Sequence, residues 1–195
     1  MLFNLLVEGH VDEAVARRLL RHCGHDAGVT YGGKGWKYVE QKVAAFDRSC
    51  SGQGLFTLVD FMDTGKRCPT EVLRHWLPQR AATHVFRVVV REIESWILAD
   101  RPAIARLLSL PLAKIPLAPE ELDDPKQTLI QLARGSRLKT IRETLVPIAG
   151  YAASEGPLYA AEIARFVGEK WNPDTARRQS ASLDKCILRL NQLHT

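Results

Sequence analysis

Apolar and polar positions fall in blocks along this chain, and the blocks read alternately as strands and helices. Phe3-Asn4-Leu5-Leu6-Val7 is a short apolar run halted by Glu8-Gly9, the pattern of a buried strand that ends in a tight turn. Asp12 to Arg21 has a helical period. Val15, Leu19 and Leu20 form its apolar stripe, Arg17, Arg18 and Arg21 lie outside it, and Asp12 and Glu13 occupy the first turn, where carboxylates suit the helix dipole. Gly24 can stop that helix. Val29-Thr30-Tyr31 predicts a second strand, Gly32-Gly33-Lys34-Gly35 a loop, and Trp36 to Phe46 a helix built on Val39, Val43 and Phe46. Leu55 to Val59 predicts a third strand, again ended by a carboxylate, Asp60. Thr70 to Leu77 reads as a helix entered through Cys68-Pro69 and stopped by Pro78. His84 to Val90 is a fourth strand that runs directly into Arg91–Asp100, a stretch of helical composition.

Near-continuous apolar strands alternating with amphipathic helices predict an α/β fold. Its core is Rossmann-like, a mostly parallel four-stranded sheet covered on both faces. The second half reads differently. Helices are expected over Pro102–Leu110, Pro125–Ala133, Leu158–Val167 and Ala181–Leu193, with a proline-rich connector over Pro111–Pro119. In the last of them Leu183, Ile187 and Leu190 repeat at i, i+4 and i+7, one buried stripe. The chain therefore divides, on pattern, into an α/β domain over residues 1–105 and a helical extension over residues 106–195.

Composition narrows the class. With 46% hydrophobic and 25% charged residues, extended disorder is not expected. No run of about 18 apolar residues occurs, so no membrane-spanning helix is expected. The opening residues lack a basic stretch and reach a carboxylate too early for a signal peptide. Cys23, Cys50, Cys68 and Cys186 are scattered, without the paired spacing of a zinc site or a disulfide framework, which fits reduced thiols and a cytoplasmic protein. The net charge of +5 is uneven: residues 1–100 carry 13 Lys/Arg against 12 Asp/Glu, residues 101–195 carry 14 against 10. A modest positive field favours polyanionic partners.

Three of the four predicted strands end in an acid: Glu8, Asp60 and Glu92. In an open parallel sheet, ligands bind beyond the carboxyl ends of the strands, which lie about 4.8 Å apart, so these carboxylates can converge. Crowded like charges need a neutralising cation or a bound proton. A hard ion with oxygen ligands, Mg²⁺ or Mn²⁺, meets that need, while single acids at such places can equally be helix caps.

Val7-Glu8-Gly9-His10-Val11-Asp12-Glu13 resembles the first motif of TOPRIM domains, especially those of the OLD (overcoming lysogenization defect) nucleases. Leu58-Val59-Asp60 matches the position of the acidic motif after the third strand. The stretch Glu92-Ile93-Glu94-Ser95-Trp96-Ile97-Leu98-Ala99-Asp100 looks like the signature of a TOPRIM-related family of unassigned function, often encoded beside an ABC- or SMC-type ATPase. Asp123-Asp124-Pro125-Lys126 and Ser180-Ala181-Ser182-Leu183 look like that family too, so the resemblance covers most of the chain. It implies Mg²⁺-dependent phosphodiester chemistry on nucleic acid, with a role in phage defence beside an ATPase partner. Glu8 would be the general acid/base or a ligand, and Asp60 would hold the metal. Asp12, Glu92, Glu94 and Asp63 would be the further candidate ligands. The chain departs from the family in one place. Where TOPRIM enzymes carry Asp-x-Asp, it reads Asp60-Phe61-Met62-Asp63. Met62 cannot ligate a hard ion, which leaves open a second reading, a non-catalytic adaptor that docks the ATPase.

Lys34 and Lys37, on and just after the glycine loop, are candidate phosphate contacts, although the loop has neither the P-loop nor the G-x-G-x-x-G spacing and a plain turn explains it as well. Arg178, Lys185 and Arg189 are expected on one side of the last helix, opposite its leucine stripe, as a nucleic-acid contact or a solvated face. His10 adjoins Glu8-Gly9 and can face a ligand or solvent. No G-x-S-x-G and no H-E-x-x-H occurs, so serine-hydrolase and zincin chemistry are set aside.

Overall fold

A computed structural model describes residues 1–50, 52–66 and 68–194. Four strands, β1 (Leu2–Val7), β2 (Asp26–Gly32), β3 (Gly54–Asp60) and β4 (His84–Val89), form one all-parallel sheet in the order β2-β1-β3-β4. Strand side chains alternate between faces, and here both faces are apolar. On one face Leu6, Leu55, Val59 and Phe86 pack against α2 (Trp36–Arg48) and α3 (Pro69–Trp76) through Val39, Val43, Val72 and Trp76. On the other, Leu5, Val7, Phe56, Leu58, Val85 and Val89 belong to a larger core with α1 (His10–His22) and the C-terminal helices. The α/β class and the helical C-terminal region agree with the sequence pattern.

The stretch Arg91–Asp100, of helical composition, is helical only in part, and the helix expected from Pro102 follows it as a separate element. Arg91 turns through the left-handed region at φ 67°, and α4 spans only Ile93–Leu98. Asp100 then caps α5 (Arg101–Leu108) by accepting from the Ala103 amide, and Pro102 favours a fresh start. The same device recurs. Asp124 caps α6 (Pro125–Arg134), Asn172 caps the short α9 (Pro173–Ala176) and Ser180 caps α10 (Ala181–Asn191). Two further helices, α7 (Lys139–Leu145) and α8 (Tyr159–Glu169), complete the half. Periodicity missed α7 and α9, which at seven and four residues are too short to show a stripe. The Pro111–Pro119 connector holds a 3-10 turn at Leu112–Lys114, and a second begins at Pro119.

Residues from both sides of position 105 share the larger core. Trp96 and Trp171 are fully buried, the Trp171 indole N–H donates to the Trp96 carbonyl (3.3 Å), and the Trp96 indole donates to Ser182 Oγ (2.7 Å). No helix among the described residues is long and apolar enough to cross a membrane.

A polar group buried under the other face carries a pH prediction. His84, fully buried, has Nδ1 2.7 Å from Asp47 Oδ1 and Nε2 3.0 Å from Thr57 Oγ1. These partners assign the ring proton to Nδ1, with the threonine hydroxyl donating to Nε2. Burial outweighs the Asp47 carboxylate and lowers the His84 pKa to about 4. A histidine whose folded pKa is depressed binds its proton more readily in the unfolded chain. The His84 contribution is therefore fully present above the unfolded value near 6.5 and is lost as pH falls toward 4. Acid denaturation is expected to cost roughly 3 kcal/mol through this residue across that window, at about 1.4 kcal/mol per pKa unit. Urea melts of wild type and His84→Gln between pH 7 and pH 4 check it; parallel pH profiles would refute the assignment.

Candidate metal-binding carboxylate site

The chain passes from β1 to β2 on one side and continues through β3 and β4 on the other, so the strand order reverses between β1 and β3. Crevices at such switch points, beyond the carboxyl ends of the strands, are where open α/β sheets bind ligands. Glu8 immediately follows β1 and Asp60 ends β3. The two are joined directly: the Asp60 amide donates to Glu8 Oε1 at 2.8 Å. Backbone geometry brings the glycine loop to the same place. The Gly35 amide donates to the Glu8 carbonyl (3.2 Å), and Gly32, at φ 134°, lies so close to β1 that a Cβ there would stand 1.8 Å from the Val7 carbonyl oxygen. Only glycine fits.

Above this point opens a cleft of about 250 Å³. Asp12 from α1, Asp60, Asp63, Glu92 and Glu94 line it, faced by Lys126 of α6 and by Glu155 and Tyr159. Asp12 and Glu94 are only 6% and 4% exposed, far below what unpaired carboxylates tolerate. Some have partners. Tyr159 Oη donates to Glu94 Oε1 (2.9 Å), the Lys126 amide donates to Glu92 Oε2 (3.0 Å), and the Lys126 ammonium pairs with Glu155 while lying 5.1 Å from the Tyr159 ring centroid. Others do not. Asp12 Oδ1 and Asp60 Oδ1 are both shut off from solvent and accept no hydrogen bond from the described residues.

Burial and mutual repulsion raise Glu8, Asp12, Asp60, Glu92 and Glu94. Glu8 is pushed up to about 8, first by burial, with the Asp60 amide opposing and the Asp12 and Asp63 charges adding to the rise. Asp12 rises to about 7, chiefly by burial, and Glu94 to about 7 by burial against the pull of Lys126 and the Tyr159 hydroxyl. Burial also leads the rise at Glu92. Asp60 is raised well above the usual carboxylate range, by burial and then by Asp12, Glu94, Glu8 and Glu92 in turn. It sits electrostatically at the centre of four other carboxylates.

Two buried, unpartnered carboxylate oxygens beside an acid-lined cleft fit a hard divalent cation, which takes oxygen ligands and neutralises the crowding. Among the described residues no three acids, histidines or cysteines already stand together as a ligand cage. Mg²⁺ does not require one, because it is commonly held by one or two carboxylates with waters and substrate phosphates. Asp12 and Asp60 would be those two.

The other sequence candidates fall in distinct places. Asp63 lies in a 3-10 turn (Met62–Thr64) that brings it to the cleft, while Met62 is exposed. His10 lines the cleft mouth. Lys34 is exposed on the Gly35-anchored loop and Lys37 in the first turn of α2, 5.2 and 5.6 Å from the centroids of Tyr38 and Trp36, and neither lines the cleft. Lys185 and Arg189 are on α10, away from the carboxylates, and Arg189 Nη2 donates to Ala82 O just before β4 (2.7 Å). Arg178 does not share their helix, because Ser180 caps α10 and leaves Arg178 in the preceding 3-10 turn. Sequence reading gave no role at the site to Lys126, Glu155 or Tyr159. The Asp124-Pro125 helix start, which fixes Lys126 in the first turn of α6, is a signal that could have found the lysine. Glu155 and Tyr159 carry none.

Comparison of the chain with family models, with curated proteins and with solved structures returned no match.

Proposed function

We propose that this protein is a TOPRIM-like, Mg²⁺- or Mn²⁺-dependent phosphodiesterase acting on nucleic acid in the cytoplasm. The observation that carries the reading is the pair of orphaned, buried oxygens, Asp12 Oδ1 and Asp60 Oδ1, beside the Glu8–Asp60 hydrogen bond at the switch point. A bound cation polarises a phosphoryl oxygen and offsets the charge that develops on it. Glu8 does the proton work. In the cation-free site burial pushes its pKa up to about 8, and the Asp60 amide holds it against Asp60, which lines the cleft, from where it would pass a proton to the leaving oxygen as water attacks phosphorus. Lys126 supplies the one ammonium lining the cleft among the described residues, and Glu155 and the Tyr159 ring hold it in place.

The test is cleavage of labelled single- and double-stranded DNA and RNA in Mg²⁺ or Mn²⁺, with EDTA as the blank. Wild-type turnover that disappears in Asp60→Asn supports the reading, and equal turnover by that variant defeats it.

Exposed Met62 and the lack of a ready three-acid cage among the described residues favour a second reading, a non-catalytic adaptor for an ABC- or SMC-type ATPase. Its signature is stable co-elution with such an ATPase and no metal-dependent cleavage by the complex.

A further inference from the structure

Away from the carboxylates, β4 is an outer strand of the sheet, and a cavity of about 370 Å³ runs along it between α3 and α10. Its floor is Phe86, Arg87, Val88 and Val90, and Lys185 stands on its α10 wall. One end of this groove is Val90, two residues before Glu92, which lines the carboxylate cleft. Beyond the other end, roughly 20 Å away along a six-residue strand, are Arg80 and Arg189.

Cations dominate this path and lack counter-ions. Arg17, Arg91, Arg165 and Arg177 each pair with an acid, yet among the described residues no ion pair neutralises Arg80, Arg87, Lys185 or Arg189. Arg87 and Arg189 spend one Nη2 each on backbone carbonyls (Lys185 O at 3.0 Å, Ala82 O at 2.7 Å), and the Nε of both is buried without a partner. Burial, and then the charges of Arg87 and Arg189, lower the Arg80 pKa against the pull of Asp47. Glu120 lines the groove and Asp47 acts on Arg80, but both carboxylates are already engaged. Asp47 accepts from His84 and the Ala81 amide, and Glu120 accepts from the Ser180 and Ser182 hydroxyls and the Ala181 and Ser182 amides.

We infer that the β4 groove, with Arg80, Arg87, Lys185 and Arg189, binds the phosphodiester backbone of single-stranded nucleic acid and leads it to the carboxylate cleft. The inference rests on the phosphodiesterase reading for the identity of its ligand. The groove supplies what such a ligand needs, cations along an extended path, with apolar surface from half-buried Leu73 and Val88 beside them. Phosphates would pair with the exposed Arg80 and Lys185 head groups and offset the repulsion that Arg87 and Arg189 exert on Arg80.

The experiment is fluorescence anisotropy of a labelled dT oligonucleotide in EDTA, so that binding is read without catalysis. The full chain is compared with Arg80→Glu/Lys185→Glu, both exposed positions whose replacement leaves the core untouched. Wild type is expected to bind with a strong salt dependence. The double variant should bind roughly tenfold or more weakly. Its slope of log K against log salt should fall by about 1.4, at about 0.7 for each of two phosphates no longer neutralised. An unchanged affinity and slope in the variant would overturn the inference. So would displacement of the oligonucleotide by a polyglutamate peptide of equal charge at equal concentration, which would mark an acidic-protein surface instead. Binding that depends on Arg80 and Lys185 in a wild type that never cleaves would keep the groove and defeat the phosphodiesterase reading.

Discussion

Glu8→Gln is expected to lower metal-dependent phosphodiester cleavage by about 10²–10⁴-fold, the range for losing a positioned proton carrier. Glutamine keeps the side-chain carbonyl oxygen that accepts from the Asp60 amide, so the switch-point contact and the fold survive while the transferable proton is gone. The loss should fall on kcat with little change in oligonucleotide affinity, because affinity is carried by the cations of the β4 groove, from which Glu8 is absent. Single-turnover kinetics with pre-bound substrate separates the two. A variant that cleaves at the wild-type rate would remove Glu8 from the chemistry. One that fails only through weaker binding would make it a positioning residue.

The second large effect concerns stability. Without a cation, Glu8, Asp12 and Glu94 are protonated in the folded protein at pH values where the unfolded chain has released those protons. Glu8 holds its proton up to about pH 8, and Asp12 and Glu94 up to about 7, against ordinary values of 4.5, 3.8 and 4.5. Between about pH 4 and 8 the folded state therefore binds more protons than the unfolded one, and stability falls as pH rises through that window. This is opposite in sign to a salt-bridged carboxylate, whose folded pKa is depressed. Asp60, buried and repelled by four neighbouring carboxylates, is likewise disfavoured in its charged form. Asp60→Asn is expected to stabilise the cation-free protein by about 0.5–2 kcal/mol at pH 8, and by less at pH 5, while abolishing activity. That exchange of function for stability is common at active sites. Added Mg²⁺ should raise the melting temperature of wild type at pH 8 and leave that of the variant unmoved. Thermal melts at pH 5 and 8, with EDTA or Mg²⁺, give all four numbers. A destabilised Asp60→Asn protein would show that Asp60 serves the fold, not a ligand.

What the sequence made legible follows from where each signal resides. Glu8 and Asp60 end apolar runs, so strand pattern alone placed them at the carboxyl ends of the sheet, and the parallel order made them neighbours. The left-handed turn at Arg91 leaves no periodic trace, so the stretch after β4 reads as one helix although α4 does not begin until Ile93. The 3-10 turn at Met62–Thr64, which carries Asp63 to the cleft past an exposed Met62, is likewise too short to register in a hydrophobic pattern. Lys126, Glu155 and Tyr159 reach the site from α6, the segment after α7 and the start of α8. Only tertiary packing brings them to Glu94. The last basic cluster was legible as charge but not as a place. Periodicity could set Lys185 and Arg189 on a helix, but not at the side of β4, where Arg80 and Arg87 join them.

Calorimetric titration of Mn²⁺ into wild type and into Asp12→Asn/Asp60→Asn, at pH 8 and with a non-cleavable phosphorothioate oligonucleotide present, tests the central claim most directly. Saturable binding by wild type that vanishes in the double variant is the result predicted from two orphaned carboxylate oxygens at the cleft. Equal binding by both proteins, or none by wild type with the oligonucleotide bound, would contradict it.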